Sequence, residues 1–163
     1  ESIILYQVSA LKGITESYGK KLHHVKPHGA LYNMASVNDD IANTIVLTIK
    51  KIDPNLKLYG PSKMKWKKIS EKHKIEYVSE VFSDRNYNDN LTLVDRSNDN
   101  SMITDIDNSI NHLSRMIEKG KVKTINKKLI DIDAETICIH GDQPNAHLFA
   151  KTIYNTFKSK IIT

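Results

Sequence analysis

The 163-residue chain has a single cysteine, Cys138. No internal disulfide can form, which excludes the cross-linked framework of small secreted domains. One lone thiol suits a reducing compartment, and a cytoplasmic location is expected. Lying between Ile137 and Ile139, Cys138 reads as a buried strand residue rather than a nucleophile, because thiols in apolar surroundings are inert. No apolar run approaches the roughly 20 residues of a membrane span, and no secretory leader pattern opens the chain. Residue 1 is Glu, and the chain opens inside an amphipathic segment, which suggests a processed or truncated chain. Neither a repeat of fixed period nor a low-complexity linker is present. Hydrophobic content of 39% and charged content of 26% describe an ordinary globular protein. The length suits one domain, residues 1–163, better than two.

Charge does not identify a partner either. The formal charge is +5, yet the lysines are spread along the chain. Only Lys63-Met64-Lys65-Trp66-Lys67-Lys68 is dense, and it carries one aromatic. A nucleic-acid binder gathers charge on one face beside several stacking residues. The run therefore reads as the solvated face of a helix, and no nucleic-acid or membrane partner is expected.

What is present is an alternation of two periodicities. Residues 1–19 place Ile4, Val8, Leu11 and Tyr18 at helical spacing, with Gly19 as a stop. Residues 22–28 form a first strand. Asn38-Asp39-Asp40 supplies a cap and favourable negative charge for a helix whose stripe is Ile41, Ile45, Ile49 and Ile52, ended by Asp53-Pro54. Residues 56–60 form a second strand, followed by the lysine-rich helix, and residues 76–82 a third. A polar loop, 83–100, precedes a helix capped by Thr104-Asp105, with the stripe Ile106, Ile110, Leu113 and Ile117 and a stop at Gly120. Residues 121–133 suggest a small hairpin, and residues 136–139 a last strand. Pro144 suits a first helical position, ahead of the stripe Ala146, Phe149, Ala150, Ile153 and Phe157. Strands alternating with crossover-length helices predict an α/β fold with a parallel sheet or barrel. The site of such folds lies at the carboxyl ends of the strands.

Two strand ends finish in His-Gly: Val25-Lys26-Pro27-His28-Gly29 and Thr136-Ile137-Cys138-Ile139-His140-Gly141-Asp142. In a strand, Lys26 and His28 share one face, as do His140 and Asp142, and the two motifs are expected to form two walls of one site. His28 and His140 suit general acid–base work near neutral pH. Metal ligation with Asp142 is the alternative, although no second ligand pair accompanies it. A lone histidine is more often a satisfied core residue; two at equivalent strand ends favour a function. Lys26 could hold a carboxylate or phosphate, or simply extend to solvent from a strand end. Glu80, Asp84 and Arg85 could bind substrate, but by composition alone they read as a solvated loop ion pair. His23, His24, His73, His112 and His147 have no supporting neighbours.

Four ordered segments resemble the LamB/YcsF family: Tyr6-Gln7-Val8-Ser9-Ala10-Leu11, Val25 through Asn33, Ser79-Glu80-Val81-Phe82-Ser83-Asp84-Arg85-Asn86-Tyr87, and Asp133 through Asp142. The resemblance covers almost the whole chain. It implies a parallel (β/α)7 barrel of the glycoside hydrolase/deacetylase type, here incomplete. The family's D-L-N-x-D-x-G-E, C-G-F-H-A-G-D and G-A-H-P-G segments are absent, so this chain would be the C-terminal two-thirds of such a barrel, lacking the first strands. The family's D-G loop is Asp89-Asn90 here, and its V-P-R is Val94-Asp95-Arg96. The implied activity is that of an ATP-dependent 5-oxoprolinase, cleaving 5-oxo-L-proline to L-glutamate, with this chain in its A subunit. ATP with Mg²⁺ and partner subunits B and C would be required, and self-association is left open. In that scheme Lys26, His28, His140 and Asp142 are catalytic: Lys26 and Arg85 supply positive charge, and the two histidines move protons. Glu80, Asp84 and Arg85 would bind substrate or phosphate; Glu80 and Asp142 would also orient the other groups or hold Mg²⁺. The alternatives are a non-catalytic remnant acting as a binding module, and a metal-dependent deacetylase-like hydrolase.

Overall fold

The computed structural model describes residues 1–142 and 145–161; Pro144, expected at a helix start, lies outside them. The chain divides into two compact units, Glu1–Ser79 and Glu80–Thr163.

The first unit opens with helix α1 (Ser2–Ser17). Ile4 and Val8 are buried, but Leu11 and Tyr18 are 53% and 79% exposed. The inward face continues instead through Lys12 and Thr15, which are half-buried, and Lys12 reaches Asp53 at 3.8 Å. Strand β1 is only His24–Val25, so Lys26 and His28 lie beyond its end and not on a shared strand face. Helix α2 (Gly29–Val37), a segment to which the periodicities gave no element, follows. Gly29 turns the chain with φ +59°, and the helix runs on from it. Helix α3 (Asp39–Ile52) begins at Asn38, whose side chain accepts from the N–H groups of Asp40 and Ile41. Its Ile45, Val46 and Ile49 are fully buried. Strand β2 (Lys57–Pro61) pairs in parallel with β1, His24 opposite Lys57 and Val25 opposite Leu58. Helix α4 (Lys65–Lys72) buries Trp66 and presents its lysines outward. Gly60 lies where a Cβ would overlap the Trp66 ring and the Tyr77 hydroxyl. That hydroxyl donates to the Pro61 carbonyl at 2.8 Å, which leaves no room for a side chain at residue 60.

Strand β3 (Tyr77–Phe82) runs through the boundary between the units. In the second unit its last residues pair in parallel with β6 (Thr136–Cys138): Glu80 faces Thr136, Val81 faces Ile137, and Phe82 faces Cys138. Between them lie helix α5 (Ile106–Lys119) and the antiparallel hairpin β4 (Lys121–Lys123) and β5 (Leu129–Asp131). Asp105 caps α5 by accepting from Asn108 N–H. Gly120 ends it in the left-handed region at φ 59°, sending its N–H back to Arg115 and Met116. Helix α6 (Ala146–Phe157) buries Phe149, Ile153 and Phe157. The alternation of strands and helices with parallel pairing is thus an α/β fold, as the periodicities predict. Cys138 is half-buried, like the rest of β6, rather than enclosed.

Candidate active site

The chemistry of the second unit gathers where β3 and β6 end. Immediately after β3, Ser83 and Asp84 are completely buried. The Asp84 carboxylate accepts from His140 Nδ1 at 2.9 and 3.1 Å, and from the His140 backbone N–H at 3.4 Å. A carboxylate offers only acceptors, so the bonded Nδ1 carries the hydrogen, and in the neutral ring Nε2 holds the lone pair. The His140 side chain is 25% exposed while Asp84 is fully enclosed. Its imidazole stacks on Phe82, with ring centroids 5.6 Å apart and planes 20° from parallel. A buried carboxylate without a partner would be costly. Here it holds one tautomer of a ring that solvent can reach, which is the arrangement of a general acid–base histidine and its orienting acid.

The backbone that carries Asp84 is held at each residue. Ser83 donates from its N–H and its hydroxyl to the Cys138 carbonyl, each at 3.1 Å. The carbonyl of Ser83 accepts from Ser109 Oγ at 2.8 Å, and that of Asp84 from Ile103 N–H at 2.8 Å. His112 is buried beside the backbone of Arg85, and its Nε2 has no hydrogen-bond partner among the described residues. Burial, followed by the charge of Arg115, pulls the His112 pKa down to about 4. Tyr87 packs against this imidazole, ring centroids 5.9 Å apart. Its hydroxyl accepts from Phe82 N–H at 2.9 Å, and burial raises its pKa, with Glu80, Cys138 and Asp84 adding to the shift.

The other expected residues take different places. Arg85 is buried, and its guanidinium donates to the carbonyls of Val94 at 2.6 Å and Ser101 at 3.4 Å. It fastens the 83–105 loop rather than presenting charge to solvent. His140 and Asp142 do not share a strand face, since both lie beyond the end of β6. With β6 ending at Cys138, the chain turns at Gly141 and Asp142, and the Asp142 carboxylate, 68% exposed, lies 3.6 Å from Arg96. Glu80 is buried on β3. Lys26 and His28 belong to the first unit: Lys26 is half-buried, Pro27 buried, and His28 exposed at the N-cap of α2 without a capping side-chain bond. Lys26 lies close enough to His24 to contribute, after burial and His23, to lowering that histidine's pKa. Among the described residues, no three His, Cys, Asp or Glu side chains are grouped to hold a metal ion. None of the described helices is long and apolar enough to cross a membrane. Sequence reasoning set His112 aside and did not mark Ser109, because a polar residue buried in the core leaves no periodic signal.

Comparison with known proteins agrees with this arrangement of segments. The LamB/YcsF family model matches residues 1–163. The A subunit of the Bacillus cereus (strain Q1) 5-oxoprolinase is 41% identical over 161 residues, covering 98% of this chain and 64% of that protein. Its counterpart from Bacillus mycoides (strain KBAB4) is 42% identical over 156 residues, covering 95% and 61%. The crystal structure of the lactam utilization protein from Thermus thermophilus superposes with a TM-score of 0.85 at 33% identity, covering 96% of this chain and 62% of that one. The chain therefore spans less than two-thirds of the length of these relatives. Matched along its entire length by the family model, it belongs to the LamB/YcsF family.

Proposed function

We propose that this chain is part of the A subunit of a 5-oxoprolinase, a (β/α)7-barrel enzyme that opens 5-oxo-L-proline to L-glutamate. The names of its relatives support the substrate class, and the Asp84–His140 pair carries the chemical reading. Opening a lactam requires water to lose a proton and the ring nitrogen to gain one. His140 Nε2, with its lone pair held available by Asp84, is suited to take the first proton and return it to the leaving nitrogen. The stacked Phe82 ring limits the tilt of the imidazole. Lys26 is the cation we assign to the substrate carboxylate, and His28 is a second candidate for proton transfer.

Lactam opening is unfavourable without coupling, so ATP with Mg²⁺, and partner subunits B and C, belong to the proposal. The described residues fit a nucleotide poorly at one expected point. Arg85 is buried and already donates to two carbonyls, so it does not supply a phosphate clamp.

The test is to replace the residues matching His140 and Asp84 by Ala and Asn in a full-length relative assembled with its partner subunits. Loss of the acid–base group predicts a fall of about 10²- to 10⁴-fold in ATP-dependent glutamate formation. Replacing the residue matching Asp142 is expected to leave the rate within a few-fold. Near-normal turnover without the histidine would overturn the assignment.

A further inference from the structure

We infer that Ser109 of α5 is a positioning residue that aims Asp84 at His140. This inference rests on the Asp84–His140 reading above. A carboxylate orients an imidazole only if its own backbone is fixed, and Asp84 lies just beyond the end of β3. On one side the isolated bridge between Arg85 and Met102 holds the segment, with Ile103 N–H donating to the Asp84 carbonyl. On the other side the carbonyl of Ser83 is taken by Ser109 Oγ of α5 at 2.8 Å. Ser109 is fully buried, and His112, also buried, lies three residues further along the same helix face.

A core face of α5 built for apolar contact alone would carry an aliphatic residue at position 109, as it does at Leu113 and Met116. The buried hydroxyl there is favourable because it meets a carbonyl that would otherwise be buried without a donor. One turn on, the ring of His112 packs on Tyr87, whose hydroxyl receives the Phe82 N–H. Phe82 is the ring on which His140 stacks. The helix thus reaches both supports of His140, the carboxylate through residue 83 and the stacking ring through Tyr87.

The experiment is nitrogen-15 NMR of the histidine rings, which reports the tautomer of His140 independently of activity. In the unmodified chain His140 is expected as the Nδ1–H tautomer with a hydrogen-bonded ring proton. S109T keeps the hydroxyl and should retain that signature. S109A removes the donor and should convert His140 to a tautomer mixture with loss of the bonded proton signal. Should S109A not fold by circular dichroism, S109C, which offers only a weak S–H donor, gives the same contrast. Retention of the full Nδ1–H signature in a folded variant lacking the donor would overturn the positioning role and leave the Asp84–His140 pair intact. An Nε2–H tautomer in the unmodified chain would overturn the pair itself. In a full-length relative, the alanine variant should lower kcat by up to about 100-fold with KM little changed, and the threonine variant should restore most of it. Equal loss in both variants would count against the inference.

Discussion

Acidification should destabilise the second unit through His112 before carboxylate protonation becomes important. The imidazole is buried and its pKa falls from 6.5 to about 4 in the folded chain. The unfolded chain therefore binds the proton first, and stability is lost as pH falls from 6.5 towards 4. A difference of about 2.5 pK units corresponds to roughly 3 kcal/mol once both states are protonated. Between pH 7 and pH 5 the expected loss is about 2 kcal/mol, a large share of a typical domain's margin. Urea unfolding at pH 7, 6, 5 and 4, compared between the unmodified chain and H112N, isolates this contribution. Asparagine does not titrate, so the other ionisable groups cancel in the difference. The two stability curves should converge, or cross, as the pH drops. A stability difference that stays constant from pH 7 to pH 4.5 would refute the reasoning, since it would mean that His112 protonates equally easily in both states.

Three further outcomes follow from packing and hydrogen bonding. G60A forces a Cβ onto Trp66 and Tyr77; a destabilisation of about 1–3 kcal/mol is expected, read as a lower Tm with a shifted Trp66 emission. R85M removes the donors to the Val94 and Ser101 carbonyls, costing about 1.5–3 kcal/mol, and limited proteolysis should then cut between residues 86 and 102. Asp89 is held down to a pKa of about 2 by Lys128 and then Thr124. Its folded pKa is depressed, so its contribution is complete above about pH 3.8 and is lost as pH falls through 2. Hydrogen-exchange protection of Ile125 N–H, which donates to the Tyr87 carbonyl, should persist at pH 4 and fall towards pH 2; in D89N that acid limb should vanish.

The bounds of helix α3 were legible in the sequence because their signals are local: Asn38 caps it, and Asp39 and Asp40 occupy the first turn. Of its expected stripe, Ile45 and Ile49 fall in the core, while Ile41 and Ile52 are half-buried and Ala42 and Val46 join the core instead. The ends of α5 were equally legible from Asp105 and Gly120, yet its buried face was misplaced. Ile106, Ile110 and Ile117 are only half-buried, whereas Ser109, His112 and Met116 are enclosed beside Leu113. Hydropathy ranks isoleucine above serine and histidine, but the helix turns towards the carbonyl that Ser109 satisfies. The partner of His140 was hidden for a related reason. Asp142 is near in sequence, while Asp84, 56 residues away, is brought close by the parallel register of β3 and β6. Spacing along the chain cannot report that register. Lys26 and His28 were assigned to a strand face because Val25 precedes them, but β1 stops at Val25 and Gly29 turns into a helix.

The solitary thiol provides an experimental handle. Cys138 lies opposite Phe82 in the β3–β6 register, and its carbonyl receives both donors of Ser83. A fluorinated thiol reagent can attach at only one position in the 163 residues, two residues before His140. Because Cys138 is half-buried, its labelling rate should measure how often β6 opens. Slow labelling that accelerates in the His112 and Ser109 variants would turn a residue with no catalytic duty into a clock for the rigidity of its neighbours.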